Sequence, residues 1–344
     1  MDRYLATWGQ LLRDRITVLP YESLVRVREL PAAATYIFSD LERLTPARRA
    51  LAVRLHEQID QNNTPARVLN HPARSLRRYD LLRTLHAKGI NRFQVRRVRE
   101  PLSGLRYPVF LRLENDHGGS RTELLHDAEA LKRAIDALRW RHGAAEALLI
   151  VEFCDTSDAA GVFRKYAAFV VSDQIIPRHV LFGRNWMLKE PELAEADLLE
   201  ERRTFVRTNP HAAELRRICA EAGITYGRVD YGIVDGQVQV WEINTNPTIL
   251  REPEMYSDRN FATHRLFARR IGRAFHALDG AGSAKAVPLN FDWRMKPALV
   301  NERAGEWFGR RGVRLRRWLS RAAARVRGWC GGSTPTLLLR NRRV

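Results

Sequence analysis

The residues most suited to chemistry in this 344-residue chain lie close together near position 235. Asp230, Glu242 and Asn244 stand on two apolar segments joined by Asp235-Gly236, a dipeptide that favours a tight turn. Carboxylate and amide oxygens are ligands that Mg²⁺ prefers, and Mg²⁺ usually keeps part of its coordination shell for water and phosphate. The sequence therefore predicts a β-hairpin that offers two carboxylates and an amide to a magnesium ion.

The length of the turn decides whether all three side chains share one face of the hairpin. Glu242 and Asn244 are two residues apart, so both must point to the same side of their strand. A two-residue turn would pair Asp230 with Trp241, which would leave the Asp230 carboxylate on the opposite face. A turn of that length would break up the ligand set.

A loop of three residues over 234–236 would restore the shared face. With its glycine in the left-handed conformation, this loop would pair Asp230 with Val240. Arg228 would then lie opposite Glu242, where a cation can meet charge that develops during phosphoryl transfer. We predict the three-residue loop, and with it the shared face.

An ordinary solvated hairpin is the alternative interpretation, because Asp and Glu are mostly exposed in folded proteins. Trp241 and Pro247 flank the Glu-Ile-Asn segment, in a strand that is otherwise apolar. A buried carboxylate needs a partner, since an unpaired buried charge is too costly to be casual. This context favours a functional site.

The hairpin resembles that of the ATP-grasp superfamily, in which Gly-Arg-x-Asp is followed by Glu-x-Asn-Thr-x-Pro, as in ligases of the D-alanine:D-alanine ligase and glutathione synthetase type. Both motifs occur here. Carried over by position, Asp230, Glu242 and Asn244 resemble the metal ligands of the family. Arg228 resembles the arginine that steadies the transferred phosphoryl group, and it is the candidate catalytic residue.

The resemblance extends upstream and covers roughly residues 75–278. Arg112 stands on the strand where the family usually carries a phosphate-binding Lys, although Lys and Arg differ in hydration and geometry. Gly118, Gly119 and Ser120 occupy the place of the family's glycine-rich loop, whose backbone N–H groups approach phosphate oxygens. A surface Arg and an ordinary polar turn are the alternative interpretations.

Further nucleotide contacts are implied by the same resemblance. Glu152, Phe153 and Cys154 end an apolar strand that resembles the family's hinge, where backbone groups meet the adenine edge. A core strand that ends at a turn is the alternative. Arg164 opens the next strand and could supply charge to a phosphate or a substrate, and a solvated side chain is equally compatible with its position.

Two neighbouring arginines, Arg77 and Arg78, open the helix that precedes this region. Related proteins often carry a nucleotide-contacting Lys near this point. Adjacent Arg residues on a helix more often form a solvated face, which is the interpretation that we favour. The superfamily places its variable substrate contacts in segments that here contain His179, Trp186, Lys189, Arg251 and Glu254.

Apolar periodicity alternates between strand-like and helix-like stretches, which predicts an α+β or α/β protein. Residues 163–171 and 174–182 should form an antiparallel pair, and residues 75–87 a helix. The resemblance implies an α+β, ATP-grasp fold in which two α+β lobes clasp ATP after a small α/β lobe. We predict an N-terminal lobe over residues 1–100 and a central lobe over residues 101–155. A C-terminal lobe with the metal hairpin should cover residues 156–280, and a basic tail residues 281–344.

Charge is distributed unevenly along the chain. The net charge is +19, and residues 301–344 hold twelve Arg and two Glu, so this stretch carries +10 of the total. If Arg310 to Trp329 is helical, apolar and basic residues cover different faces, which is typical of a helix on an anionic membrane surface. A helix docked on the body and a disordered extension are the alternatives. No recognisable nucleic-acid-reading motif accompanies the charge.

Three widely spaced cysteines, Cys154, Cys219 and Cys330, support neither a disulfide framework nor a zinc site. The N-terminus has no apolar run of signal-peptide type, and no stretch approaches the ~20 apolar residues that span a bilayer. We therefore expect a cytoplasmic protein that is peripheral at the membrane surface if the tail binds there. The sequence leaves the oligomeric state open.

The resemblance implies a ligase that uses ATP and Mg²⁺. In such enzymes ATP phosphorylates a carboxylate substrate, and an amine or similar nucleophile attacks the acyl phosphate. A phosphotransferase that stops after phosphorylation and a non-catalytic nucleotide-binding module are the alternatives. Chemistry of this type depends on positioning and charge neutralisation, so no protein nucleophile is required.

Overall fold

The computed structural model describes residues 1–24, 28–31, 33–62, 66–116, 118–142, 147–279 and 286–290. Met1–Asn290 form one compact unit. The helix predicted from Arg310 to Trp329, with its proposed membrane contact, lies outside the described residues, as does Cys330. Among the helices that are described, none combines the length and the apolar character needed to cross a membrane.

Helices and strands are interspersed along the described chain. The helices are α1 (Asp2–Ala6), α2 (Tyr21–Leu24), α3 (Pro46–Gln61), α4 (Arg78–Ala87), α5 (Ala128–His142), α6 (Ala196–Thr208), α7 (Ala212–Glu221) and α8 (Asp258–His276). The strands are β1 (Glu29–Leu30), β2 (Thr35–Ile37), β3 (Arg67–Leu69), β4 (Val95–Arg97), β5 (Val109–Leu113), β6 (Leu148–Glu152), β7 (Phe163–Val171), β8 (Gln174–Gly183), β9 (Tyr226–Val234), β10 (Gln237–Asn244) and β11 (Val287–Pro288).

Two antiparallel sheets form the frame of the molecule. The larger has four strands in the order β10-β9-β7-β8, and the smaller has three in the order β4-β6-β5. Nearer the N-terminus, β2 and β3 form a parallel pair, and β1 pairs with β11. Helices pack against these largely antiparallel sheets, so the predicted α+β class is confirmed.

The four-stranded sheet is covered on both faces along much of its length. On one face, Val170 of β7 belongs to the same buried cluster as Phe205 of α6. On the other face, Phe169 packs on Phe267 of α8, with ring centroids 5.4 Å apart. At the start of β7 this second face carries Lys165, which lines a cleft. The polar residues of β9 and β10 extend the same face towards that cleft.

The three-stranded sheet forms the opposite side of the cleft. Its central strand, β6, is buried along all five residues. One face packs on α5, where Leu111 and Ile150 join Leu131 in a buried cluster. The other face presents Phe110 and Val151, which line the cleft.

Candidate functional site

The hairpin that carries the predicted metal ligands turns differently from the prediction. Asp235 and Gly236 form a two-residue turn with φ angles of 48° and 75°, and Val234 pairs with Gln237. The predicted three-residue loop is therefore wrong. Asp tolerates the left-handed conformation and Gly adopts it without steric cost, so the short turn suits the twist of the two strands.

A register shift inside β10 compensates for the short turn. Val240 pairs with Tyr231, but Glu242 pairs with Asp230, so Trp241 is an extra residue in β10. This bulge restores the shared face, because side chains directly opposite each other on neighbouring strands point to the same side. The predicted pairing of Asp230 with Val240 is wrong, and the predicted shared face is reached by another route.

Arg228 also lies in a different register from the prediction. It pairs with Asn244 across the hairpin, and does not stand opposite Glu242. Its guanidinium binds both oxygens of Asp230, with Nε donating to Oδ1 at 2.6 Å and Nη2 donating to Oδ2 at 3.0 Å. Asp230 is only 1% exposed. A two-pronged ion pair of this kind fixes the orientation of both groups.

Each of the two carboxylates meets further cations. Lys165 Nζ lies 3.1 Å from Asp230 Oδ2. Glu242 Oε2 accepts hydrogen bonds from Arg112 Nη2, at 2.9 Å, and from Arg78 Nη2. With the guanidinium described above, four cations surround two carboxylates, which leaves an excess of two positive charges. Such a cluster favours an anionic ligand.

Both carboxylates are ionised at neutral pH. Burial alone would raise the pKa of Asp230, but Arg228 and Lys165 more than offset this effect and lower the pKa to about 2. Burial would also raise the pKa of Glu242, and the guanidinium groups of Arg112 and Arg78 lower it to about 2. Their negative charges are therefore present over the whole physiological range of pH.

Arg78 is the residue of this site that the sequence interpretation misplaced. It begins α4 and is only 6% exposed, so the favoured solvated face is wrong for this side chain. Its Nη1 donates to the backbone carbonyls of Leu113, Glu114 and Asp116, at 3.1, 2.6 and 2.8 Å. Its Nη2 donates to Glu242. These acceptors lie between 35 and 164 residues away in sequence, so no local sequence pattern could indicate that Arg78 is buried.

One end of the cleft is charged and is lined by Arg112, Lys165, Asp230 and Glu242, with Arg228 and Arg78 bound to these carboxylates from behind the lining. The empty volume of the cleft is about 920 Å³, including solvent at its mouth. The other end is apolar. Trp186 lies against Phe110 and Phe153, with ring centroids 4.9 and 5.8 Å away. Trp241, the extra residue of the bulge, also lines the cleft, and the remaining apolar lining is Leu82, Phe93, Val151, Phe163, Met187 and Leu188. Rings packed in this way offer an apolar surface on which a flat aromatic base can stack.

The predicted hinge residues Glu152, Phe153 and Cys154 all line the cleft. The Glu152 carboxylate is engaged within the protein, because it accepts hydrogen bonds from the backbone N–H groups of Gln94 and Arg106 at 3.0 and 2.9 Å. Burial raises the pKa of the Cys154 thiol, so the Cys154 side chain is uncharged at neutral pH. Contact of the hinge with adenine stays a prediction.

The glycine segment 118–120 borders the cleft through Gly119. Gly118 N–H donates to Asp116 Oδ1 at 2.8 Å, and Lys189 Nζ donates to the Gly118 carbonyl at 2.5 Å. Gly119 has a φ of 86°, in the left-handed region that a glycine adopts without the steric cost that a side chain would bring. The Ser120 hydroxyl lies 2.5 Å from the Thr122 carbonyl, to which it donates. A phosphate contact by this segment stays a prediction.

Arg164 lines the cleft, but its guanidinium is already bound to carboxylates. Nε donates to Glu201 Oε1 at 2.9 Å, and Nη1 donates to Asp158 Oδ2 at 2.6 Å. Burial opposes the charged form, and these two carboxylates raise the pKa of Arg164 by more than burial lowers it. Its charge is thus compensated within the protein, and its predicted contact with phosphate or substrate stays a prediction.

The residues at the charged end fit a magnesium ion that arrives with phosphate. Two ionised carboxylates that line the cleft, together with the Asn244 amide two residues further along β10, would make up the share of ligands that proteins commonly give Mg²⁺ when phosphate and water complete the shell. Asn244 is buried outside the lining of the cleft, and its Oδ1 accepts a hydrogen bond from the Asn246 N–H at 2.8 Å. In the described part of the chain, no three His, Cys, Asp or Glu side chains are grouped to hold a metal by themselves. Nε of Arg78 and Nε of Arg112 are buried and have no acceptor among the described residues. Arg112 lines the cleft, where a phosphate oxygen would satisfy its Nε.

No protein-family model matches the sequence, and no curated protein matches it. Solved structures that the chain resembles include the ATP-grasp ligase PsnB complexed with minimal precursor, at 15% identity and a TM-score of 0.45 over 80% of this chain and 95% of that one. D-Alanine–D-alanine ligase from Bacillus anthracis complexed with ATP is 11% identical, with a TM-score of 0.41 over 75% and 86% of the two chains. N5-carboxyaminoimidazole ribonucleotide synthetase from Thermus thermophilus is 15% identical, with a TM-score of 0.37 over 63% and 55%. TM-scores and identities this low leave the reaction to be inferred from the chain's own residues.

Proposed function

We propose that the protein is an ATP-dependent ligase that activates a carboxylate as an acyl phosphate for attack by an amine or a similar nucleophile. The observation that carries this proposal is the pairing of Asp230 with Glu242 in the wall of the cleft, among four cations. Carboxylates for a metal ion and cations for phosphate are the recurring parts of phosphoryl-transfer sites. The resemblance of the hairpin to that of ATP-grasp ligases supplies the reaction class.

The charged end would hold the metal and the phosphates. Asp230, Glu242 and Asn244 would hold Mg²⁺, which when bound neutralises phosphate charge and orients the phosphates. Arg112 and Lys165 line the cleft beside these carboxylates and would bind phosphate oxygens. The excess of two positive charges in this cluster matches a ligand that stays anionic after it has bound a divalent cation.

Arg228 would act on the phosphoryl group during its transfer. Both oxygens of Asp230 hold its guanidinium, so its orientation is set by the fold. A cation that is fixed in this way stabilises developing charge without first having to reorganise. Removal of Arg228 should therefore slow turnover more than it weakens nucleotide binding.

The apolar end would hold the base. The aromatic lining consists of Trp186, Phe110, Phe153, Phe163 and Trp241, and it belongs to the same cleft as the charged residues. Base stacking on aromatic side chains contributes on the order of 1–3 kcal/mol per base. A nucleoside triphosphate has the same two-part chemistry as the cleft, a flat apolar base followed by a polyanion.

The chemistry would proceed in two steps. A substrate carboxylate oxygen attacks the terminal phosphorus of ATP, and ADP leaves with the bonding electron pair. The amine nitrogen then attacks the acyl carbon, a C–N bond forms, and inorganic phosphate leaves. Both steps need positioning and neutralisation of charge, which the paired carboxylates and cations of this cleft are suited to provide.

Calorimetric titration of the full-length protein with ATP and Mg²⁺, followed by a screen for ADP formation across pairs of carboxylic acids and amines, tests the proposal. ADP release that requires both an acid and an amine supports a ligase. A stable phosphorylated product without an amine would instead identify a phosphotransferase. ATP binding with no turnover across a broad panel favours a nucleotide-binding module, and absence of ATP binding would reject all three.

The charge of the tail supports a second, separate proposal, that residues 301–344 bind an anionic membrane surface. This stretch carries more than half of the net positive charge of the chain. Deletion of residues 301–344 should abolish sedimentation with phosphatidylserine vesicles and leave ATP binding unchanged, because Met1–Asn290 form a compact unit of their own. Vesicle binding that survives the deletion would reject this proposal.

A further inference from the structure

The two carboxylates that would hold the metal are each bound to two cations within the protein. Arg228 and Lys165 bind Asp230, as described above. Arg78 and Arg112 share a single oxygen of Glu242, Oε2. A divalent cation that approached this cluster alone would enter a region with an excess of positive charge and would have to compete with guanidinium groups for its ligands.

The two guanidinium groups on Glu242 differ in how firmly they are held. Arg78 is anchored by three backbone carbonyls besides Glu242. Among the described residues, Glu242 is the sole hydrogen-bond partner of the Arg112 guanidinium, and Arg112 Nε is buried without an acceptor. Arg112 lines the cleft, whereas Arg78 stands at the start of α4 and is bound to the backbone just before the glycine segment. Arg112 is therefore the guanidinium group that can leave Glu242 and bind a ligand in the cleft instead.

We propose that Arg112 makes the carboxylates selective for a metal–nucleotide complex over the free metal ion. Phosphate oxygens take over the Arg112 guanidinium and satisfy its Nε, and Glu242 is released to bind the metal that the nucleotide brings. Arg78 keeps its carbonyl partners and holds Glu242 in place throughout. This inference rests on the proposed function, since it assumes that the cleft takes a nucleotide, and it adds the prediction that free divalent cations are rejected.

Titration of the full-length protein with Mn²⁺ alone, followed by electron paramagnetic resonance and calorimetry, tests this selectivity. The wild type should bind free Mn²⁺ weakly and bind ATP measurably even in the presence of a chelator. Arg112→Gln should bind free Mn²⁺ at least about tenfold more tightly, because close charge pairs couple by ~1.5 kcal/mol or more and each 1.4 kcal/mol is about a factor of ten. The same variant should bind ATP less tightly in the chelator.

Three further variants show where the Mn²⁺ binds and whether charge alone is responsible. Adding Glu242→Gln to Arg112→Gln should remove the gain in Mn²⁺ affinity, because the released carboxylate is then missing. Arg133→Gln removes one positive charge from α5, where Arg133 pairs with Glu129, and should leave Mn²⁺ affinity unchanged. Arg112→Lys keeps the charge with fewer donors and should stay close to the wild type, which gives a measurement even if Arg112→Gln folds poorly.

The selectivity is overturned if the wild type binds free Mn²⁺ as tightly as Arg112→Gln does. It is also overturned if Arg133→Gln raises Mn²⁺ affinity to the same extent, since net charge would then be the cause. In both cases, intact ATP binding would leave the proposed function in place. Absence of ATP binding in every condition would reject the proposed function together with the selectivity.

Discussion

The two ends of the cleft are built by different physical means. At the charged end, each functional group is held by specific partners, as in the two-pronged pair between Arg228 and Asp230. At the apolar end, Trp186 is positioned by contact with the rings of Phe110 and Phe153. Ion pairs are directional and depend on each partner, whereas ring packing is broad and tolerates similar shapes.

This difference determines how each end should respond to substitution. Removing one member of a buried ion pair leaves an uncompensated charge, which is strongly unfavourable. Removing a ring loses contact area and stacking, a loss that scales with the size of the side chain. We therefore expect large and ligand-specific effects at the charged end, and smaller effects shared by all nucleotides at the apolar end.

The largest effect is expected for Arg228→Ala, measured as ADP formation with an acid and amine pair found in the screen. Loss of one preorganised donor to developing charge costs about 10²- to 10³-fold in turnover. Affinity for ATP should change far less, because the interaction is made chiefly in the transition state. Arg228→Lys should recover part of the turnover.

A parallel loss of ATP affinity and turnover in Arg228→Ala would contradict this assignment. It would show that Arg228 binds the ground state, and that the charged end works as a uniform phosphate-binding surface. Circular dichroism of Arg228→Ala serves as the control for folding, since Asp230 keeps Lys165 as a partner.

The next effect should differ between ligands with and without phosphate, and it therefore distinguishes the two ends of the cleft. Arg112→Ala should weaken ATP binding roughly 30-fold or more, because truncation of one partner of a buried charge pair costs about 2 kcal/mol or more. Binding of adenosine, which has no phosphate, should be unaffected. Calorimetry with ATP, AMP and adenosine measures the dependence on phosphate. Equal losses for ATP and adenosine would place Arg112 outside the phosphate site.

A smaller and uniform effect is expected at the apolar end. Trp186→Ala should weaken ATP, AMP and adenosine alike by roughly tenfold, since base stacking on an aromatic ring contributes on the order of 1–3 kcal/mol. Trp186→Phe should retain most of the affinity. If Trp186→Ala weakens ATP alone, the ring acts on the phosphates, and the division of the cleft into two ends is wrong.

The sequence predicted the charged end better than the apolar end because the motif for the charged end is local. Asp230, Glu242 and Asn244 lie on one hairpin, and their spacing showed that an extra residue was needed for a shared face. The position of that residue could not be predicted, since Trp241 in the bulge packs against a buried cluster whose members are distant in sequence. The spacing of the three residues is equally compatible with a longer turn and with a bulge inside a strand.

The same distinction between local and distant partners applies to the fold. Alternating apolar residues predicted β7 and β8 almost to the residue, because a hairpin depends on nearby sequence. The helix predicted over 75–87 begins instead at Arg78. Ser75 Oγ donates to the carbonyl of Gly223, and Leu76 N–H donates to the carbonyl of Ala222, so this segment is held by distant contacts. Arg78 itself was misplaced for the same reason.

The smallest effect concerns stability and pH, and it separates the two ends without any ligand. The pKa values of Asp230 and Glu242 are lowered to about 2, from 3.8 and 4.5. A carboxyl group whose pKa is lowered by folding contributes stability that is fully present above its unfolded pKa and is lost as the pH falls towards the folded pKa. The contribution of this pair should therefore be intact above about pH 5 and disappear between pH 5 and pH 2.

Thermal unfolding of the wild type and of Glu242→Gln across this range measures the contribution of Glu242. At pH 7 the variant should melt at a lower temperature, because Arg78 and Arg112 lose the negative charge that they share. The difference between the two melting temperatures should shrink as the pH falls through 4.5 towards 2, since protonation removes the same charge from the wild type. Trp186→Phe, at the apolar end, should follow the wild type in parallel at every pH. A difference between wild type and Glu242→Gln that stays constant down to about pH 2 would show that the ion pairs of Glu242 do not stabilise the fold, and that the substitution acts through packing alone.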